Sequence, residues 1–455
     1  MQFWEANLRV LLDFVSGPLG VIAVMLLLGA ALAAIVSPSM RVIALVFYFL
    51  ILFVGPVPEL ADGSALAYKP ILQPFAFFRQ NSRALMTLSF IVVVPVVLLW
   101  GRPIMQRSRA SILYLILQVV WSFFQYVYGG SILKIILGML LFTGCWLVAT
   151  GRPMRTVQDW YDGWKVVIWA LLAFIGCHVI LLVLGSPGMY AAGTRLQGMT
   201  SNPQFTAQNL AIGCIILAAL AADGEFRRAT RMPVWFVWVT VAIAASMLGM
   251  TGSRGGALFA AVGLVVLFGA NIGRAALFLV PAGIFVYFIG TAFFFVDKAS
   301  GVSLDRIFSG DDTRSQLIVN LFYRWMRNPI LGEAGDMSSG YNECLYLYVP
   351  MRLGVFALMY LLWMVGQAMW QTYRGARQAR HRRGVVHRLP MAIVVSMCVQ
   401  NITEAGLLSQ FTISTTMFLM CCELGTAAHL LTDSAEEPQP ELEYFADGPM
   451  LRPAF

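Results

Sequence analysis

Charge is what this chain has least of. Only 12% of its 455 residues are Asp, Glu, Lys or Arg, about half of the roughly 25% usual in soluble domains. With 59% hydrophobic residues and a mean hydropathy of +0.74, that shortage excludes an ordinary soluble domain. The apolar runs lack the two-residue alternation of a lipid-facing strand, which excludes a transmembrane barrel and leaves helices, since bare backbone polar groups in lipid cost several kcal/mol each. The seven cysteines fall almost entirely within apolar runs and show no ligand spacing, so neither a disulfide framework nor a metal site is expected. A cleavable leader is also missing: the stretch before the first apolar run holds acids and only Arg9, so that run is expected to be retained.

What the chain has instead is a succession of apolar runs, each about 18 residues or longer and so able to cross a ~30 Å hydrocarbon core. They lie near 17–36, 41–59, 84–100, 111–128, 131–150, 164–185, 204–222, 232–250, 255–270, 274–295, 346–370, 389–406 and 411–431. The expected architecture is all-α and polytopic, with about 12–13 transmembrane helices. The stretch 371–388 carries six arginines and no acid, and such segments stay in the cytoplasm. Counting outward, every second connection is compact and basic: Arg102, Arg107 and Arg109, then Arg152, Arg155 and Lys165, then Arg227, Arg228 and Arg231. The net charge of +8 therefore predicts attachment to an anionic inner leaflet, with no nucleic-acid partner. The count places the N-terminus outside.

The expected organisation is a set of N-terminal helices over 1–185, a first outer loop at 186–203, and central helices over 204–295. A large outer loop at 296–345, C-terminal helices over 346–431, and an acidic, disordered cytoplasmic tail at 432–455 complete it. A connector of some 50 residues is far longer than connections need, and loops of that size are functional or disordered. Within it the stretch from Asp311 to Ile330 spaces Leu317, Val319, Leu321, Phe322 and Trp325 as an amphipathic helix lying on the membrane face.

Three arginines stand out on the outer side. Arg254 sits in TGSRGG (251–256), between two apolar runs. The following Gly255 and Gly256 let backbone approach closely and are expected to leave free N–H groups at a helix start, a natural anion site. A guanidinium there suits a phosphate, although an arginine at that depth also serves as an ordinary interfacial anchor. Arg195 lies in the first outer loop, followed by Asn202-Pro203, a pair that feeds the next helix. Arg314 follows Asp311 and Asp312, which are candidate neutralising partners. Together the three form a candidate clamp for a diphosphate at the membrane surface. The aromatic residues nearby, Tyr190, Phe205, Tyr323, Trp325, Tyr341 and Tyr346, suit either an interfacial belt or sugar stacking.

The set TGSRGG, RLQGMTSNPQ and NPILGEAGDMSSGYNECLYLYVPMRLG (328–354) resembles the O-antigen ligase and polysaccharide polymerase superfamily of bacterial inner-membrane glycan transferases. Its members share SRG at an outer helix end, an arginine, glycine and NPN before a central span, and a large outer loop closing on NP..G.G and HN.YL. The likeness spans residues 190–360 and is a matter of hydropathy elsewhere. It implies a GT-C-like all-helical fold with a large periplasmic catalytic loop. It also implies a donor glycan on undecaprenyl diphosphate, with Arg254 and Arg314 holding the diphosphate, and it implies no cofactor.

One departure matters. Tyr341 stands where ligases carry a histidine before the Asn, here Asn342. The four histidines (His178, His381, His387 and His429) all fall within spans or on the cytoplasmic side. Any base for the acceptor hydroxyl must then be a carboxylate, with Glu343 first by sequence and Glu404, in QNITEAG, second. The missing histidine tilts the expectation from ligase toward polymerase: an enzyme moving a growing glycan from its lipid diphosphate onto an incoming lipid-linked repeat unit. Flippase and chain-length regulator are the expected pathway partners. The alternatives are transfer to a lipid A core and, in another class, transport of the same lipid-linked sugars.

Overall fold

The computed structural model describes residues 16–55, 70–82, 84–86, 88–89, 107–127, 132–151, 154–185, 190–191, 195–200, 202–269, 315–333, 344–379, 385–402 and 413–433. Where the expected spans fall on these residues they are helical except at some ends, such as 184–185, 232–233 and 401–402. The run at 274–295, most of the run at 84–100 and the tail beyond residue 433 lie outside them.

Breaks between the helices follow local chemistry. Helices α1 (Pro18–Val36) and α2 (Pro38–Val54) each begin on a proline, which needs no N–H partner in a first turn, and Ser37 between them is extended. A short α3 (Gln73–Gln80) precedes α4 (Arg109–Val127) and α5 (Ile132–Thr150). Helix α6 (Val157–Val183) opens with a reciprocal cap between Thr156 and Asp159. After the antiparallel pair β1 (Tyr190–Ala191) and β2 (Arg195–Leu196) come α7 (Pro203–Ala222), α8 (Gly224–Thr230), α9 (Val234–Met250) and α10 (Arg254–Phe268). The amphipathic stretch forms α11 (Ser315–Arg327), followed by α12 (Leu345–Gln378), α13 (Leu389–Gln400) and α14 (Ile413–Thr426).

Among the described residues, α6, α7 and α12 are long and apolar enough to cross a membrane. The pair α8 and α9, bent by 96°, makes a fourth if taken as one span. The described part of the protein is thus mostly helical, with helices able to span a membrane. Helix α7 is the hub, buried on nearly every side, with α9, α10 and α13 packed around it. Small residues make this possible. A Cβ on Gly256 would meet that of Ala207 at 2.6 Å, and one on Gly263, two turns along α10, would meet Ile215 at 2.1 Å. Such close backbone approach drives helix association where lipid removes the hydrophobic advantage of burial. Polar side chains add cross-links: Asn209 donates to the Phe53 carbonyl at 2.5 Å, and Gln208 to Gln400 at 2.8 Å.

The bundle has two chemically distinct ends. At one, Arg107 stacks 4.2 Å over the Trp146 ring and donates to the Thr150 hydroxyl. There the buried Glu423 accepts from the Ser108 N–H at 2.9 Å and the Ser111 hydroxyl at 2.6 Å. Arg227, Arg228, Arg374, Arg377 and Arg388 belong to the same end. The opposite end gathers the start of α7, α10 and α12 and the finish of α6, α9 and α13.

Candidate functional site

The sequence motifs converge at that second end through a chain of direct contacts. Arg195, on β2, donates from Nε to the Thr251 carbonyl at 2.8 Å, joining the first loop to the TGSRGG turn. The first turn of α10 packs on the first turn of α7 through Gly256 and Ala207. The next residue along α7, Gln208, reaches Gln400 at the end of α13. The next residue, Asn401, accepts from the Leu345 N–H at 2.9 Å, where α12 begins. Stretches separated by as much as 200 residues of chain thus share one face of the bundle.

Arg254 occupies the first position of α10 and is exposed, while its neighbours Ser253, Gly255 and Gly256 are buried. The free N–H groups expected at this helix start are one fewer: the Ser253 hydroxyl accepts from the Gly256 N–H at 3.2 Å. Gly256 is small because Ala207 abuts it, so its role is helix packing rather than approach to a ligand. Asn202 is likewise a capping residue, its Oδ1 accepting from the Gln204 N–H at 2.9 Å ahead of Pro203. Arg314, Tyr341, Asn342, Glu343 and Glu404 lie outside the described residues. The Leu345–Asn401 bond nevertheless ties the chain two residues after Glu343 to the chain three residues before Glu404. Cys344, between Glu343 and α12, holds φ 55°, ψ 91°, a conformation few non-glycine residues adopt. Burial pushes its thiol pKa up.

Two residues that the sequence did not single out support the first loop. His178, expected to be unavailable inside a span, is fully buried near the end of α6, but its ring faces the loop. A carbonyl only accepts, so Nδ1–H donates to Phe174 at 2.8 Å; Nε2 is then the acceptor for the Met199 N–H at 3.2 Å. Gly198 (φ +56°) lies against the same ring, where a Cβ would come within 2.0 Å of Nε2. The glycine of RLQG is therefore dictated by His178. Arg79, on α3, is buried and close enough to act electrostatically on His178. Burial lowers its guanidinium to about 10, which leaves it cationic at neutral pH. Nothing in the sequence links residue 79 or 178 to the motifs, since the contacts depend on tertiary packing alone.

The NPILG segment has a structural role of equal clarity. It follows α11, whose Leu321 packs with Trp121, Tyr348, Met351 and Leu353, while Phe322, Tyr323 and Met326 stay exposed. Gly332 (φ +75°) and Gly354 (φ +79°) allow the segment to lie against a kink in α12: Cβ atoms there would meet the Arg352 carbonyl oxygen at 2.6 Å and the Ile330 carbonyl at 1.7 Å. The Val355 N–H donates to Pro329 and the Glu333 N–H to Met351, at 2.9 and 2.6 Å. Arg324 closes the turn with two contacts of 2.8 Å to Glu333. Of the aromatic candidates, Tyr346 donates to the Cys398 carbonyl at 3.1 Å and Trp325 to Pro329 at 3.2 Å, whereas Phe205 and Tyr323 are exposed. Among the described residues no group of His, Cys, Asp and Glu could hold a metal ion.

Chemically, the arrangement offers an exposed arginine at the start of α10, with Arg195 held to the Thr251 carbonyl three residues before it. That combination suits an anion of more than one charge. Known family models and curated proteins give no match to this chain.

Proposed function

We propose that the protein is a polysaccharide polymerase of a bacterial inner membrane, with a GT-C-like bundle of about 12–13 spans and its active site on the periplasmic face. The donor is a growing glycan on undecaprenyl diphosphate and the acceptor is a lipid-linked repeat unit. The acceptor hydroxyl oxygen attacks the anomeric carbon, the carbon–oxygen bond to the diphosphate breaks, and the lipid diphosphate leaves with the bonding pair. The hydroxyl proton passes to a carboxylate, Glu343 in the first instance. Arg195, Arg254 and Arg314 offset the charge that builds on the phosphate oxygens as the bond lengthens, the work a metal ion performs elsewhere. Asn202, Tyr341, Asn342 and Glu404 belong to the glycan-binding surround.

The observation that supports this reading is the Arg195–Thr251 hydrogen bond, because it joins the segments that carry two of the arginines at the end opposite the basic connections. Tyr341 in place of a histidine favours polymerase over ligase. The test is direct: purified protein given a lipid-linked oligosaccharide should produce longer chains on the carrier. Transfer to a lipid A core would instead identify a ligase. Absence of any new glycosidic bond, with movement of the lipid-linked sugar across the bilayer, would identify a transporter and end the proposal.

A further inference from the structure

At the basic end of the bundle, α4, α12 and the turn after α14 enclose an open cavity of about 460 Å³. Its polar lining includes Arg109, Arg374, Gln367, Gln371 and Gln378, with Trp370 at its side, and among the described residues it contains no Asp or Glu. Neither guanidinium meets a carboxylate among the described residues. Gln371 uses its carbonyl oxygen to accept from the Ala110 N–H at 3.4 Å, which leaves its NH₂ as a donor. His429, also in the lining, is oriented by an Nδ1 contact to the Thr426 carbonyl at 3.1 Å. Gly375 forms part of the lining because α12 and the end of α14 touch there: a Cβ would lie 1.8 Å from the Gly425 carbonyl. The result is a recess rich in donors, with two positive charges.

The volume lies within the roughly 300–1,000 Å³ range of small-molecule sites and exceeds what a bare inorganic anion needs. The surface leading to it is apolar. Phe356, Met359, Trp363 and Trp370 recur at helical spacing on α12 and are all more than half exposed, and Trp370 pairs with Tyr373 at 6.2 Å. Aromatic residues at this position mark the boundary between headgroups and acyl chains. We infer that this cavity is a phosphate-recognising site for the headgroup of an anionic phospholipid, the acyl chains lying along the exposed face of α12. The site is separate from the motif end and does not depend on the polymerase reading.

The test uses the full chain in detergent, titrated with phosphatidylglycerol, with phosphatidylcholine and with inorganic phosphate, bound species being counted by native mass spectrometry. Wild-type protein should retain phosphatidylglycerol in preference to phosphatidylcholine. Replacing both cations (Arg109→Gln with Arg374→Gln) should lower that preference about tenfold or more, since each basic group near an anionic lipid contributes about 1 kcal/mol. Arg377→Gln, on the same helix but outside the lining, should leave it unchanged. The exposed single variant Arg374→Gln supplies the same reading at smaller amplitude if the double variant does not fold. Phosphatidylglycerol retention unaffected by millimolar phosphate identifies the lipid as the source. Displacement by phosphate identifies a soluble phosphate ligand and overturns the lipid assignment. Unchanged preference in the folded variants, or an equal loss in Arg377→Gln, overturns the site.

Discussion

Gly198→Ala tests whether the first loop is held by His178 rather than by its own turn geometry. The substitution acts twice. An alanine at φ +56° pays the left-handed penalty of about 1–2 kcal/mol. Its new methyl would also sit 2.0 Å from His178 Nε2 and 2.1 Å from Cδ2, far inside the ordinary contact distance. Backing by Phe174, whose ring centroid is 4.3 Å from that of His178, limits where the imidazole can go. The ring or the loop must therefore shift by more than an ångström, which breaks the hydrogen bond from the Met199 N–H. A buried donor left unsatisfied costs about 1–3 kcal/mol. The expected total is about 2–5 kcal/mol of lost stability.

A double-mutant cycle separates the two contributions. In a His178→Ala background the new methyl has room and the hydrogen bond is already absent, so Gly198→Ala should cost only the backbone penalty of about 1–2 kcal/mol. The coupling energy is then about 1–3 kcal/mol. Thermal unfolding of the full chain in detergent gives the stabilities, and amide exchange at Met199 reports the loop locally, rising in each single variant. Equal costs of Gly198→Ala in both backgrounds would refute the reasoning, because His178 would then not be what excludes a side chain at position 198.

Other expectations follow from the same contacts. Arg254→Ala should reduce chain extension by roughly 10²-fold or more in a protein that still elutes as a folded species, and Lys at that position should restore little for want of a bidentate fork; near-normal product length removes the diphosphate clamp. Glu343→Gln should abolish turnover across the pH range if this carboxylate takes the acceptor proton, and full retained activity would move that role to Glu404 or to no base at all. Gly354→Ala should lower stability by at least the roughly 1–3 kcal/mol of a disfavoured backbone conformation and release the NPILG segment, read as new protease sensitivity between residues 328 and 333. Asn202→Ala should cost about 1 kcal/mol as a lost helix cap, with Asn202→Asp near neutral by the same thermal measurement.

Hydropathy made the helices legible, because a run that must satisfy its backbone in lipid has only one local option. One end was readable too: Asn202-Pro203, read as feeding the next helix, begins α7, with Asn202 as its cap. The amphipathic spacing of Leu317 to Trp325 emerged as α11, with Leu321 buried against α12 while Val319 and Phe322 are exposed. Two features were illegible. Gly256, read as a glycine that frees a backbone N–H for an anion, is small because α7 passes within contact distance, and the cap on its N–H comes from Ser253, a residue whose side-chain direction only the folded turn sets. The His178 contact was hidden for a related reason. Position along a span says how deep a side chain lies, while which neighbour it faces depends on helix rotation, and an apolar run of near-uniform hydropathy carries little rotational signal.

That distinction changes how TGSRGG should be understood. Five of its six residues are buried, Thr251 accepting from Arg195 and Ser253 capping the helix that Gly256 sets against α7. A flexible, glycine-rich loop would let an arginine sample many positions and lose conformational entropy on gripping an anion. Here the glycines serve the opposite purpose, removing side chains so that helices lock together around one exposed residue. Fixing the backbone of Arg254 in the first turn of a packed helix prepays much of that ordering, leaving chiefly side-chain freedom to be lost on binding. The consequence is that substitutions at Gly256 should weaken the site through displacement of Arg254. Gly256→Ala must push α10 away from Ala207, so it should impair chain extension together with stability, whereas Arg254→Ala should impair chain extension alone. If Gly256→Ala destabilises the bundle yet leaves extension at the wild-type rate, the rigid-frame account of this motif is wrong.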